Sequence, residues 1–231
     1  MDYLLEGLSR AVDLLSSGDP ETFSAVAATL EATALSMGMA LAVGMPVGFC
    51  LGYFNFPGRR LLRMCSDALM AFPTVVIGLL VYALLSRRGP LGDLELLFTI
   101  PGMALGLTLL ALPMVASLTA AAVEQLDPRL RLTLLTLGAD RRQLLLGILW
   151  EARFGVVAGA VATFGRVVSE VGIAMMVGGN IKWHTRTITT AIALETGKGE
   201  FAQGIALGVV LMCISFLVNA ALVALRRRSG A

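Results

Sequence analysis

LLFTIPGMALGLTLLALPMVASLTAAAV, running from Leu96 to Val123, contains no Asp, Glu, Lys, Arg or His. A helix rises about 1.5 Å per residue, so about 20 such residues cross a hydrocarbon layer of about 30 Å, and this stretch is long enough with room to tilt. Working outward, Ala32 to Leu51, Ala68 to Ser86 and Phe201 to Leu225 are equally free of charge. Phe154 to Val177 is long enough too, but Arg166 and Glu170 interrupt it. The expectation is an all-α polytopic membrane protein with about five transmembrane helices.

The composition agrees. Of 231 residues 57% are hydrophobic and 15% charged, and the mean hydropathy is +0.82, outside the range of water-soluble domains. A net charge of +2 without basic and aromatic clusters excludes nucleic acid as a partner. Cys50, Cys65 and Cys213 lie far apart in or beside apolar runs, without the spacing of a disulfide framework or a zinc site. With one histidine, no HExxH, no GxSxG and no GxxxxGK[ST] phosphate loop, the chain lacks the groups for catalysis and for hydrolysing ATP itself. His184 reads as a solvated loop residue.

Residues 1 to 20 form a separate amphipathic segment, with Leu4, Leu5, Leu8, Val12 and Leu15 opposite Asp2, Glu6, Ser9, Asp13 and Ser16. It is expected to be a mature interfacial helix lying on the outer surface, since no positively charged leader precedes it. Gly18-Asp19-Pro20 ends it, and residues 21 to 231 make the transmembrane domain. Orientation follows the bases. Arg59, Arg60, Arg63, Arg129, Arg131, Arg141, Arg142, Arg226, Arg227 and Arg228 fall on one side, against Arg10, Arg87, Arg88, Lys182, Arg186 and Lys198 on the other. The richer side is taken as cytoplasmic, which puts the N-terminus outside and the C-terminus inside a plasma (inner) membrane. Gly44/Gly48/Gly52, Gly102/Gly106, Gly155/Gly159 and Gly204/Gly208 have the spacing of close helix contacts. Neither internal repeats nor broken helices, the marks of secondary transporters, are expected.

The segment from about 124 to 153 is the longest between spans and reads as two short helices around a glycine. Leu130, Leu134, Leu137, Leu144, Leu145 and Ile148 give apolar stripes, which suit either a partner-binding face or an ordinary basic inside loop. Here Leu137-Gly138-Ala139-Asp140-Arg141-Arg142-Gln143 is similar to the signature of the type I permeases of binding-protein-dependent ABC importers. Leu132-Thr133-Leu134 stands where that family has Glu-Ala-Ala, and Trp150-Glu151 where it has Leu-Pro. The resemblance implies that Leu137, Gly138, Ala139, Asp140, Arg141 and Arg142 dock on a separate ATPase. It also implies a second copy of the chain, two ATPase subunits and an external substrate-binding protein, with ATP and magnesium bound only by the ATPase. No cofactor or metal is expected in this chain.

Downstream, GRVVSEVG (Gly165 to Gly172), VGGNI (Val177 to Ile181) and TRTITTAIALET (Thr185 to Thr196) resemble the tungstate-importer permeases. That resemblance implies an oxyanion as cargo, tungstate first and molybdate second. Arg166 and Glu170 share a helix face and are expected to pair inside the bundle, because an ionised group at mid-membrane costs about 3 kcal/mol. The pair either braces the bundle or lines the permeation path. Ser169 stands between the pair, and beyond it Asn180, Lys182, Thr185, Arg186, Thr187, Thr189 and Thr190 concentrate hydrogen-bond donors and two bases, with almost no acids until Glu195. They are candidates for the path or gate, or for a surface that meets the binding protein.

Overall fold

A computed structural model describes residues 2–228, with side-chain placements for residues 5–221. The side chains of Asp2, Leu4 and Arg226 to Arg228, used in the sequence reading, lie outside the described residues. Nine α-helices occur among the described residues: α1 (Asp2–Ser17), α2 (Pro20–Tyr53), α3 (Arg59–Met70), α4 (Thr74–Leu85), α5 (Ile100–Glu124), α6 (Pro128–Thr136), α7 (Arg141–Val168), α8 (Ile188–Gly197) and α9 (Phe201–Arg228). Four are long and apolar enough to cross a membrane, and the bent pair α3 and α4 is either a fifth, broken span or a re-entrant loop.

Helix starts follow local chemistry. Asp19 accepts from the Thr22 amide and hydroxyl while Pro20 takes the first position of α2. Thr99 caps α5, and Asp140 with Gln143 forms a reciprocal box at the start of α7. α5 is the centre of the bundle. Its Met103, Leu107, Leu110, Ala111 and Val115 join Met37 and Ala40 of α2, Val81 and Leu85 of α4, and Val167 of α7 in one apolar core. The glycines decide how close the neighbours come. A Cβ on Gly48 would lie 2.3 Å from the Ala116 carbonyl oxygen, and one on Gly155 2.6 Å from Ala122 Cβ, so α2 and α7 each touch α5 nearly backbone to backbone.

Three expectations are corrected. The second span is two helices, bent by 98° at Ala71-Phe72-Pro73. Proline cannot donate to the preceding turn and biases its predecessor away from helix, so an uncharged run is broken where hydropathy alone reads it as continuous. The fourth span is Arg141–Val168, not Phe154 to Val177, so the segment's second helix is the span itself. Beyond it comes a π turn, Ala174–Gly178. The stripe of Leu130, Leu134, Leu144 and Ile148 packs inward on Val123, Ala152 and Val156, leaving Leu132, Leu135, Leu137 and Leu146 exposed. Separately, α1 packs along α9 through its Gly7 and Ala11 side, while Leu5, Leu8, Val12 and Leu15 face away from the bundle.

An apolar cavity of about 400 Å³ lies among α2, α3, α4 and α5, lined by residues that include Val47, Leu69, Phe72, Ile77, Leu109 and Pro113.

Candidate functional site

The end of α7 carries the charged pair. Arg166 Nη1 donates to Glu170 Oε2 at 2.7 Å. The two are unequally placed: the Glu170 side chain is 3% exposed and that of Arg166 40%. Glu170 Oε1 meanwhile accepts from the amides of Gly172 at 2.9 Å and Ile173 at 3.4 Å. The carboxylate therefore terminates α7 and starts the next segment, its charge spread over one guanidinium and two amides. What the subunit presents outward is the cation. Ser169 sits beside it, exposed, its hydroxyl donating to the Gly165 and Arg166 carbonyls.

The threonines do something the sequence does not announce. Thr187 and Thr190 cap α8 reciprocally, Thr190 Oγ1 accepting the Thr187 amide at 3.0 Å and Thr187 Oγ1 the Thr190 amide at 3.3 Å. Thr189 donates to the Glu170 carbonyl at 3.0 Å. All three are buried. Thr29, on α2, accepts the Ile188 amide at 2.9 Å, fixing the start of α8. The hydroxyls are thus engaged within the subunit, tying α8 to α2 and to the end of α7.

Arg186 has a partner as well. Its Nη1 meets Glu21 Oε1 at 2.5 Å, its Nε donates to Asn180 Oδ1 at 3.2 Å, and Lys182 Nζ reaches Glu21 Oε2 at 2.6 Å. Both bases of the loop converge on one carboxylate from the first turn of α2. The loop is compact: the amides of His184, Thr185 and Arg186 all reach the Ile181 carbonyl, and the Thr185 hydroxyl bridges Gly178 and Ile181. Sequence reasoning misses Glu21 and Thr29 because no local pattern connects them to residues so far along the chain.

At the opposite end, Gly138 holds φ +82°, and its amide and that of Ala139 close onto Leu135 and Leu134. This is a left-handed helix stop, natural to glycine. A Cβ at Gly138 would meet nothing within 4 Å. Leu137 beside it is 78% exposed, and Asp140, Arg141 and Arg142 open α7. The structure thus separates the candidates into two groups at the two ends of α7.

A model of the binding-protein-dependent transport system inner membrane component family matches residues 44–230. The chain belongs to this family. Among binding-protein-dependent permeases it is similar to the tungstate uptake system permease protein TupB of Campylobacter jejuni, with 44% identity over 219 residues that cover 95% of this chain and 92% of the relative. TupB of Peptoclostridium acidaminophilum is 38% identical over 226 residues, 98% of this chain and 99% of that one. The fold is shared with an inward-facing MetNI methionine ABC transporter, at a TM-score of 0.72 and 21% identity over 91% of this chain and 98% of that one. This permease is accordingly an inner membrane component of an ABC importer.

Proposed function

We propose that this permease moves a tetrahedral oxyanion, tungstate in preference to molybdate, into the cytoplasm by alternating access. The observation that carries the reading is the 44% and 38% identity, over nearly the whole chain, to two tungstate uptake permeases. In this reading two copies of the chain enclose the path, two ATPase subunits supply ATP and magnesium chemistry, and an external binding protein delivers the anion. The chain itself is not an enzyme. Its N-terminus lies outside and its C-terminus in the cytoplasm.

Leu137, Gly138, Ala139, Asp140, Arg141 and Arg142 form the ATPase-facing tip, with exposed Leu132, Leu135 and Leu137 supplying apolar contact. Arg166 and Ser169 face the path. A half-exposed guanidinium far along a membrane span is tolerable only toward protein or water, and toward a path it attracts an anion without enclosing it. Glu170, Asn180, Arg186, Thr187, Thr189 and Thr190 shape the outer gate by holding the 170–190 segment in place. Of these only Glu170 and Arg186 carry charge; the buried threonines contribute position.

The test is uptake into proteoliposomes containing permease, ATPase and cognate binding protein, with ATP inside. Tungstate accumulates most, molybdate less, and an amino acid not at all. Accumulation of a non-oxyanion without tungstate refutes the cargo; accumulation driven by a proton or sodium gradient without ATP refutes the importer mechanism.

A further inference from the structure

Near the ATPase-facing end, three helix termini meet on one carboxylate. The chain leaves α2 at Tyr53, turns at Gly58 with φ +87°, and begins α3 at Arg59. Arg59 reaches back, Nε donating to the Leu51 carbonyl at 2.6 Å and Nη2 to that of Gly52 at 3.3 Å. The same Nη2 donates to Glu124 Oε1 at 2.7 Å, while Nη1 takes Asn55 Oδ1 at 2.9 Å. One turn further along α3, Arg63 Nη2 lies 3.7 Å from the other Glu124 oxygen, its Nη1 held by Asp67 at 2.8 Å. Glu124 is the last residue of α5, and Asp127, which caps α6, follows almost at once.

We propose that Glu124, held by Arg59 and Arg63, is the joint through which displacement of the coupling segment reaches α3 and, past the bend at residues 71–73, the Glu170 region. This rests on the ATPase-coupled reading above. α2 and α5 already behave as one body, because at Gly48 and Gly52 their backbones touch. α3 is different: it has no buried residue of its own. The Glu124 ion pairs are therefore the strongest directional attachment of α3 to that body, set against the negative ends of two helix dipoles, where a guanidinium is favoured. At the far side of the bend, Thr74 opens α4 against Gly172, which rests on the Glu170 carboxylate. A continuous set of contacts thus runs from the root of the coupling segment to the outer gate, with Arg59 as a positioning residue and one charge pair as its first link.

The test uses the assembled permease and ATPase complex in lipid nanodiscs, spin-labelled at exposed Leu62 of α3 and Leu132 of α6 in a background without native cysteines. Trapping with ATP and vanadate leaves the wild-type Leu62 to Leu132 distance within about 2 Å of its resting value, because the two elements move together. In Glu124→Gln, an isosteric change, the distance shifts by more than about 4 Å, and anion accumulated per ATP falls about tenfold while hydrolysis stays within about twofold. Arg59→Lys keeps a charge opposite Glu124 and recovers most of that ratio. Where the Gln variant does not assemble, Glu124→Ala, which also removes the charge, takes its place under the same distance criterion. Labels that still move together without the Glu124 charge overturn the proposal, as does a parallel loss of hydrolysis and uptake. The distance is independent of cargo, so a wild-type complex that tracks in this way but accumulates no tungstate refutes the substrate reading and leaves the joint standing.

Discussion

Glu21 and Arg186 stand 165 positions apart in sequence and meet side chain to side chain at 2.5 Å. The contact ties the loop from Ile181 to Arg186 to α2, and it neutralises the base that sequence reasoning would leave free for an anion. Glu21→Gln removes the countercharge of both Lys182 and Arg186. Because Glu21 is partly exposed, the expected loss is below about 1 kcal/mol. Amide exchange in the Ile181 to Arg186 turn should quicken by up to about fivefold at neutral pH. Exchange mass spectrometry checks this, and unchanged protection would show that the turn's internal hydrogen bonds hold it without Glu21.

The Arg166 and Glu170 pair predicts non-additivity. Removing Arg166 leaves a buried carboxylate with only its two amides, whereas removing both charges leaves neither orphaned. Fully buried pairs show about 3 to 5 kcal/mol on breaking, but the exposed side of Arg166 reduces the expected coupling to about 1 kcal/mol. Arg166→Gln, Glu170→Gln and the double variant, compared by thermal melting in detergent, check it. Additive shifts would mean that the ion pair contributes nothing to the fold.

At Gly138 conformation and space make opposite predictions. The chain's own atoms leave room for a side chain, but φ +82° does not suit a β-branched one. Gly138→Asn should retain most coupled uptake and Gly138→Val lose it, by about tenfold or more. If both fail equally, the close approach of a partner, rather than backbone geometry, requires the glycine.

Two glycine pairs that look alike in sequence should behave differently. Gly48→Ala forces a Cβ onto the Ala116 carbonyl and must part α2 from α5, while a Cβ at Gly208 meets nothing within 4 Å. The first should cost about 2 kcal/mol or more and the second under about 0.5. Yields of monodisperse protein after heating separate them.

The spans were legible because mean hydropathy integrates over many residues and tolerates local detail. The first span, α2, reaches back to Pro20 despite Glu21 and Glu31, since charges near the end of a long helix need not enter hydrocarbon. What hydropathy cannot register is backbone geometry: the bend at Pro73 lies inside an uncharged run. In the site, the pairing of Arg166 with Glu170 was readable from four-residue spacing. The burial of Thr187, Thr189 and Thr190 was not, because a threonine that caps a helix and one that lines a channel look the same in one dimension.

The apolar cavity beside α5 brings together more than its volume suggests. Pro113 lines it, Val47 beside Pro46 lines it, and Phe72 beside Pro73 lines it. The internal prolines of α2 and α5 and the Pro73 bend between α3 and α4 thus border one cavity. α7 has no proline over its whole length. Proline removes a backbone donor and weakens or bends a helix, so α2, α5 and the α3 to α4 turn are expected to yield around this cavity, while α7 is expected to keep the spacing of Asp140 and Arg166.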